Sequence, residues 1–303
     1  GPGNLVDGRD AGASNYRWRQ TQFDGVFSYF ESIAKHNFDA KLGVSYFDRR
    51  ESRLSASGRG AATDNIPTMN ASAEPVSVSS QITDHVIAGL FSRINYNYDN
   101  KYLLTFNMRY DGASNLGQNY KWGFFPGLSL GWNIHNEDFW QGVSQSISKF
   151  KFRASYGVNG NISGLGDFTA QGSYSVGNRY AGQSAIQNTV IPNTELQWER
   201  SKTINLGTDI GLLEDRITVM LDVYRRETDN LITNYALPPS TGFGSILTNL
   251  GSLENKGLEI DVNFDVLPNS KDFQWNLGIN SAYVNNKILK LPDNGVENNR
   301  IGG

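Results

Sequence analysis

A period of two in the apolar residues constrains this chain more than any other feature. Leu258, Ile260, Val262 and Phe264 stand on one side of a segment whose other side carries Glu259, Asp261 and Asn263, and that spacing is the side-chain repeat of an extended strand. It recurs in Ile217, Val219, Leu221 and Val223, in Ile204, Leu206, Ile210 and Leu212, and in Leu104, Phe106, Met108 and Tyr110. Further copies are Leu128 to Ile134, Phe150 to Tyr156, Phe38 to Val44 and Trp275 to Ile279, while 15–33 and 85–98 alternate less cleanly. The pattern predicts ten strands and an all-β fold.

The connections add a direction. Short turns are expected at Lys35 to Asn37, Asp99 to Lys101, Leu213 to Arg216 and Pro268 to Asp272, where residues suited to turns or solvent cluster. Long loops are expected near 57–83, 111–122, 157–197, 235–254 and 285–303, and Asn136 to Ser148 reads as a short helix capped by Asn136, with Glu137 and Asp138 in its first turn. Short and long connections alternating along the chain describe an up-and-down antiparallel sheet with all its turns at one end, the plan of an outer-membrane barrel.

A soluble sandwich also has an apolar face, so alternation alone leaves both open. Three features favour the transmembrane barrel. Several patterns persist for about ten residues, the length a tilted spanning strand needs, against roughly five or six in soluble strands. Aromatic residues such as Tyr98, Tyr102, Phe139, Trp140, Phe150, Phe273 and Trp275 gather near the short turns, where an interfacial girdle would lie. The 9 prolines are expected at strand ends or in loops. No apolar run is long enough for a spanning helix, which says nothing against spanning strands.

Composition excludes several functions. With 27 basic and 30 acidic side chains the net charge is -3, which offers no field for nucleic acid, and the absence of cysteine removes thiol chemistry, disulfides and Cys-ligated zinc. Gly127 to Gly131 spells Gly-x-Ser-x-Gly, but Ser129 sits inside a strand pattern between two leucines and lacks the strand-turn-helix context of a nucleophile elbow. His36, His85 and His135 have no metal-ligand spacing, there is no phosphate loop, and Asp293 to Glu297 lacks the alternating ligands of a calcium loop. No enzyme and no cofactor are expected. Loops 111–122 and 157–197 do carry Tyr120, Trp122, Tyr174 and Tyr180 beside Arg179 and Gln183, a set able to stack on and hydrogen-bond a sugar or peptide, or to pack the loops themselves.

Several strings, taken in order, resemble the SusC/RagA class of TonB-dependent outer-membrane transporters. They are Arg109 to Ser114, Phe125 to Trp132 followed by Phe139, Arg153 to Gly157 with Gly160 and Asn161, Leu196 to Glu199 leading to Asn205 to Gly207, Asp229 to Leu231, and Asn249, Gly251 and Asn255 to Glu259. The resemblance covers nearly all of residues 1–303 and implies part of a barrel of about 22 strands. No leader, plug, TonB box or terminal aromatic residue is apparent, and ten strands alone would leave two long edges unpaired.

The resemblance further implies import of oligosaccharides or peptides across the outer membrane of a Gram-negative bacterium. A SusD-like surface lipoprotein would close the barrel mouth, a TonB complex would act through the missing plug, and outer-membrane lipid would surround the wall. Tyr120, Trp122, Arg179 and Tyr180 are then the expected substrate or lid contacts. The rival expectations are a small independent barrel serving as protease or adhesin and a soluble carbohydrate-binding β-sandwich; the paired acidic and histidine residues that a barrel protease would carry at its strand tops are not found in the sequence.

Overall fold

Fourteen strands form in the computed structural model, which describes residues 9–61, 63, 65–66, 68–267 and 273–291. They are β1 (Asp10–Ile33), β2 (His36–Arg59), β3 (Glu74–Tyr98), β4 (Tyr102–Ala113), β5 (Trp122–Asn133), β6 (Ile147–Asn161), β7 (Ser173–Tyr180), β8 (Gln183–Val190), β9 (Glu199–Leu212), β10 (Ile217–Asp229), β11 (Ile232–Ala236), β12 (Ser245–Asn249), β13 (Ser252–Leu267) and β14 (Trp275–Lys290). Ten make one open sheet in the order β1-β2-β3-β4-β5-β6-β9-β10-β13-β14. These are the ten strands that the alternation predicts, although Pro126, expected at a strand end or in a loop, lies inside β5 opposite Met108.

Two corrections concern the long connections. Those after β6 and β10 are not bare loops: each holds a separate two-stranded ribbon, β7-β8 and β11-β12. Their short runs are too polar for alternation to flag. The expected loop from 285 onward begins inside β14, which continues to Lys290; the acidic tract from Asp293 to Glu297 and the turn at Pro268 to Asp272 lie outside the described residues.

A third correction concerns 136–148, which forms no α-helix. Two 3₁₀ turns, Ile134–Asn136 and Asp138–Trp140, are followed by further turns, and Asn136 caps neither. Its side-chain amide donates instead to the Asn100 carbonyl at 2.9 Å. Asn133 donates to the same oxygen at 2.6 Å.

The other turns fall where expected. Asp99 and Asn100 both adopt left-handed angles (φ 51 and 52), the signature of a two-residue hairpin, and Asp and Asn tolerate that region best after glycine. The Lys101 amide closes the turn on the Tyr98 carbonyl at 2.9 Å. Leu213, Glu214 and Asp215 are left-handed as well, and Ser148 steadies them: its hydroxyl donates to the Asp215 carboxylate at 2.7 Å and accepts from the Asp215 amide at 3.0 Å.

The chain divides into two compact units, residues 1–23 with 46–87 and residues 24–45 with 88–303. In the first, ion pairs Arg19–Asp48, Arg50–Asp84 and Arg59–Asp10 link neighbouring strands, and Phe47 meets His85 edge-on at 6.3 Å.

In the second unit, register sorts the side chains. Leu104, Leu130, Ala154, Leu206, Val223, Leu258 and Tyr283 lie opposite one another in sequence across seven strands. One residue away, Thr105, Ser129, Ser155, Asn205 and Tyr224 form a row on the other face. The sheet therefore has an apolar and a polar side, yet the apolar row is not a core. Leu130, Leu206 and Val223 are each about half exposed. An apolar surface that continuous has no place in water, and no second sheet covers it among the described residues.

Stacked aromatic pairs bound the apolar side. Tyr102 lies against Trp132 at 6.3 Å, and eight residues along β4 Tyr110 lies against Trp122 at 5.0 Å. Eight residues make about 26 Å of strand, or about 20 Å along the normal at a tilt of about 40°, close to the height of a membrane barrel's apolar band.

Candidate functional site

Buried side chains concentrate at the long-loop end, where the segment Leu196 to Glu199 gathers three connections. Leu196 and Leu116 are fully enclosed, with Ala113, Ala170, Val158, Phe125 and Trp198 around the same end of the sheet. The Gly117 amide donates to the Leu196 carbonyl at 2.8 Å, and a side chain on Gly117 would collide with the Thr194 backbone, so the loop after β4 docks only through glycine. Trp198 donates its indole N–H to the Lys121 carbonyl at 3.0 Å and meets Phe125 edge-on at 5.2 Å. These contacts hold loop 114–121 against the end of the β6–β9 connection.

Asparagines complete the clamp. Asn249 accepts from the Gln197 amide and donates to the Gln197 carbonyl, both at 2.8 Å, and donates also to the Asn230 carbonyl at 2.9 Å. Asn193 donates to the Leu247 carbonyl at 2.8 Å. The Glu199 carboxylate accepts from the Ile232 amide at 2.8 Å and from the Asn161 side chain at 2.6 Å. Side-chain amides copy backbone pairing here and so satisfy the backbone of these irregular segments, although Asn115 in loop 114–121 buries its side-chain oxygen without a partner.

On the polar face Arg153 forms a charged bridge. Its guanidinium donates to Asp209 at 3.0 Å and to both oxygens of Asp222 at 3.1 and 2.9 Å. Arg153, Gly207 and Asp222 share one register row, so the bond passes over the backbone of β9. A methyl at Gly207 would strike the Asp222 carboxylate and the Arg153 guanidinium. Tyr224 likewise lies over Gly257, where it fills the space a side chain would take.

At the tight-turn end, Glu137 is the knot. It accepts from the Tyr102 hydroxyl at 2.7 Å, the Trp132 indole at 3.0 Å and the Lys101 ammonium at 3.1 Å. Those bonds, Tyr102 first, hold its carboxyl down at about 2. Glu137 in turn raises Lys101, and Asp99 raises Lys35 through a 2.6 Å hydrogen bond.

The four expected contact residues lie on three different elements. Tyr120 lies in loop 114–121 and is partly exposed, whereas Arg179 and Tyr180 end β7 at the ribbon tip, Tyr180 being 81% exposed. Tyr174 and Gln183 are exposed on the same ribbon. Trp122 opens β5 opposite Gly112, and strand parity puts it on the apolar side with Phe124, Leu128 and Leu130. Sequence patterning did not separate this ring from Tyr120, because loop and strand meet between them.

Ser129 is mid-strand in β5, with no sharp turn at it and only 3₁₀ turns, not an α-helix, after the strand. His36 pairs with the Tyr96 hydroxyl at 2.8 Å and His135 with the Phe150 carbonyl at 3.0 Å. Among the described residues no group of three or more His, Asp or Glu is placed to hold a metal. The clamp went unrecognised from sequence except as family strings; its signal was the recurrence of asparagine and glycine in long connections.

Comparison with known proteins agrees with this architecture. The profile described as TonB dependent receptor-like, beta-barrel, matches residues 2–303. The chain is 33% identical over 296 residues to the TonB-dependent receptor SusC of Bacteroides thetaiotaomicron, covering 95% of this chain and 29% of that protein. It is 32% identical over 290 residues to TonB-dependent receptor P3 of Formosa agariphila, covering 93% and 29%. Thus it spans less than a third of the curated relatives it matches. In fold it is similar to the RagAB peptide transporter, with a TM-score of 0.85 at 24% identity over 93% of this chain and 31% of that one. The ferric citrate transporter FecA shares the fold more distantly, with a TM-score of 0.56 at 12% identity over 94% of this chain and 38% of that one.

Proposed function

Because the chain belongs to the TonB-dependent receptor-like β-barrel family, we propose that the protein carrying it imports an oligosaccharide or peptide across the outer membrane of a Gram-negative bacterium. The likeness to SusC along nearly the whole chain carries this reading. Residues 1–303 supply part of the barrel wall, with the apolar rows against lipid and the Arg153 row toward the lumen. The short turns face the periplasm and the clamped loops face the exterior. A TonB complex supplies energy through a plug domain elsewhere in the polypeptide.

A SusD-like surface lipoprotein closes the mouth at the long-loop end. Tyr120, Arg179 and Tyr180 contact that lid or the solute, by ring stacking and guanidinium hydrogen bonds. Trp122, on the apolar side and stacked on Tyr110, serves the exterior girdle instead. The role is transport, with no chemical step.

Deleting the gene and following uptake of labelled oligosaccharides and peptides tests the reading. Loss of uptake of one class, together with co-purification of a lipoprotein from native membranes, is the expected result. Unchanged uptake of every class and no partner would overturn it.

A further inference from the structure

Three arginines converge on the apolar side of the wall, beyond the stretch that hydrocarbon covers. On β2, Phe38, Ala40, Leu42, Val44 and Tyr46 share one parity, and the same parity continues through Asp48, Arg50 and Ser52. Phe38 contacts Tyr96 at 4.8 Å, and Tyr96 borders a groove with Leu104, Leu130, Phe152 and Ala154, which identifies this parity with the apolar face. Arg17 and Arg19 of β1 join Arg50 and Ser52 around an open cavity of about 250 Å³.

The charge in this cavity is poorly neutralised. Arg19 reaches Asp48 only at 3.7 Å and Arg50 reaches Asp84 only at 3.6 Å. Arg17 has no ion-pair partner among the described residues. On the opposite parity, by contrast, Arg49 and Glu51 pair at 3.1 Å. The Arg19 and Arg50 side chains are 69% and 53% exposed, free to meet a ligand. Guanidinium groups offer only donors, in a fork that matches tetrahedral oxyanions, while the Ser52 hydroxyl lines the cavity and donates to the Arg17 carbonyl at 3.5 Å.

Depth selects the source of the anion. Arg50 lies four residues beyond Tyr46, about 13 Å of strand and about 10 Å along the normal, which is the headgroup layer outside the hydrocarbon. We propose that Arg17, Arg19 and Arg50 bind the phosphate of a phosphorylated lipid of the outer leaflet, of the lipid A type. The proposal rests on the outer-membrane reading above. It gives the wall a fixed lipid at this position, held by charge-assisted hydrogen bonds, rather than a fluid annulus.

The test uses the full-length protein in detergent, titrated with lipid A, dephosphorylated lipid A or inorganic phosphate and followed by native mass spectrometry. R17Q, which breaks no internal ion pair, should weaken lipid A binding about five-fold, and R17Q/R19Q/R50Q by about the same factor for each arginine removed. R53Q, an equal charge change on the opposite parity of β2, should leave binding unchanged. Dephosphorylated lipid A should bind as weakly to the native protein as lipid A binds to the triple variant.

Undiminished lipid A binding by R17Q and the folded triple variant would overturn the proposal, as would equal binding of the dephosphorylated lipid. Inorganic phosphate binding as tightly as lipid A would make this a free-anion site and overturn the lipid assignment. Cell fractionation keeps the two readings apart. An outer-membrane protein whose variants retain lipid A defeats this proposal alone, whereas absence from the outer membrane defeats the reading beneath it as well.

Discussion

Arg153 on β6 bonds Asp222 on β10 across an intervening strand, and the residue beneath the bond is Gly207. The pair exists because one position in the row between them has no side chain. G207A is therefore expected to push the two apart and to lower stability by about 1–3 kcal/mol, the usual range for overfilling a packed site. G207A combined with R153M should recover part of that loss, because the obstruction and the charge it would strand go together. Folding titrations into lipid of single and double variants measure it, and strictly additive losses would refute the bridge.

The facing of β13 predicts an asymmetry between adjacent positions. V262R puts a charge on the apolar side and should cost about 2–4 kcal/mol if it lies near the midplane, whereas N263R, on the polar side, should cost far less. Equal stabilities of the two variants in the same titration would show the faces to be assigned wrongly.

Loop clamping should fail at its centre. Leu196 is fully enclosed, so L196A is expected to lose about 2–5 kcal/mol of local stability, seen as faster amide exchange in 114–121 and 230–251 while β9 and β10 stay protected. Exchange confined to Leu196 and its neighbours would mean that the three connections are independent.

Acid should loosen the tight-turn end. Glu137 is held at about 2, below its ordinary 4.5, so its contribution to stability is complete above about 4.5 and disappears as pH falls through about 2. The native protein should exceed E137Q in thermal stability by a constant margin from neutral pH down to about 5, and the margin should shrink below that. A margin independent of pH down to 2 would count against the hydrogen-bonded carboxylate.

Orientation is tested by placing cysteines at Asn100, in a short turn, and at Gln183, in the β7-β8 ribbon. An impermeant maleimide on intact cells should label the second and spare the first. The reverse pattern would invert the topology.

Much of the wall was legible because a membrane strand must alternate to satisfy two environments at once. The rows through Leu206 and Asn205 follow from that, and so does the count of ten sheet strands. The irregular elements were not legible, for a different reason. Asn136 resembles a helix cap in sequence but is spent on the Asn100 carbonyl, and Asn249 serves three backbone groups that no local pattern reveals. The β7-β8 and β11-β12 ribbons likewise lack the buried face that makes alternation visible. Trp122 shows the limit at the candidate site, since only register places this ring on the apolar side of β5 while Tyr120, two residues earlier, stays in the loop.

The half-exposed row from Leu104 to Tyr283 inverts the usual logic of engineering. In a water-soluble domain the most accessible positions tolerate lysine or glutamate, and such changes improve solubility. Here accessibility marks the positions that lipid must wet, and the same changes would oppose insertion. Tolerance should instead be sought on the polar row at Thr105, Ser129 and Ser155, on the face away from lipid, where a new charge meets water.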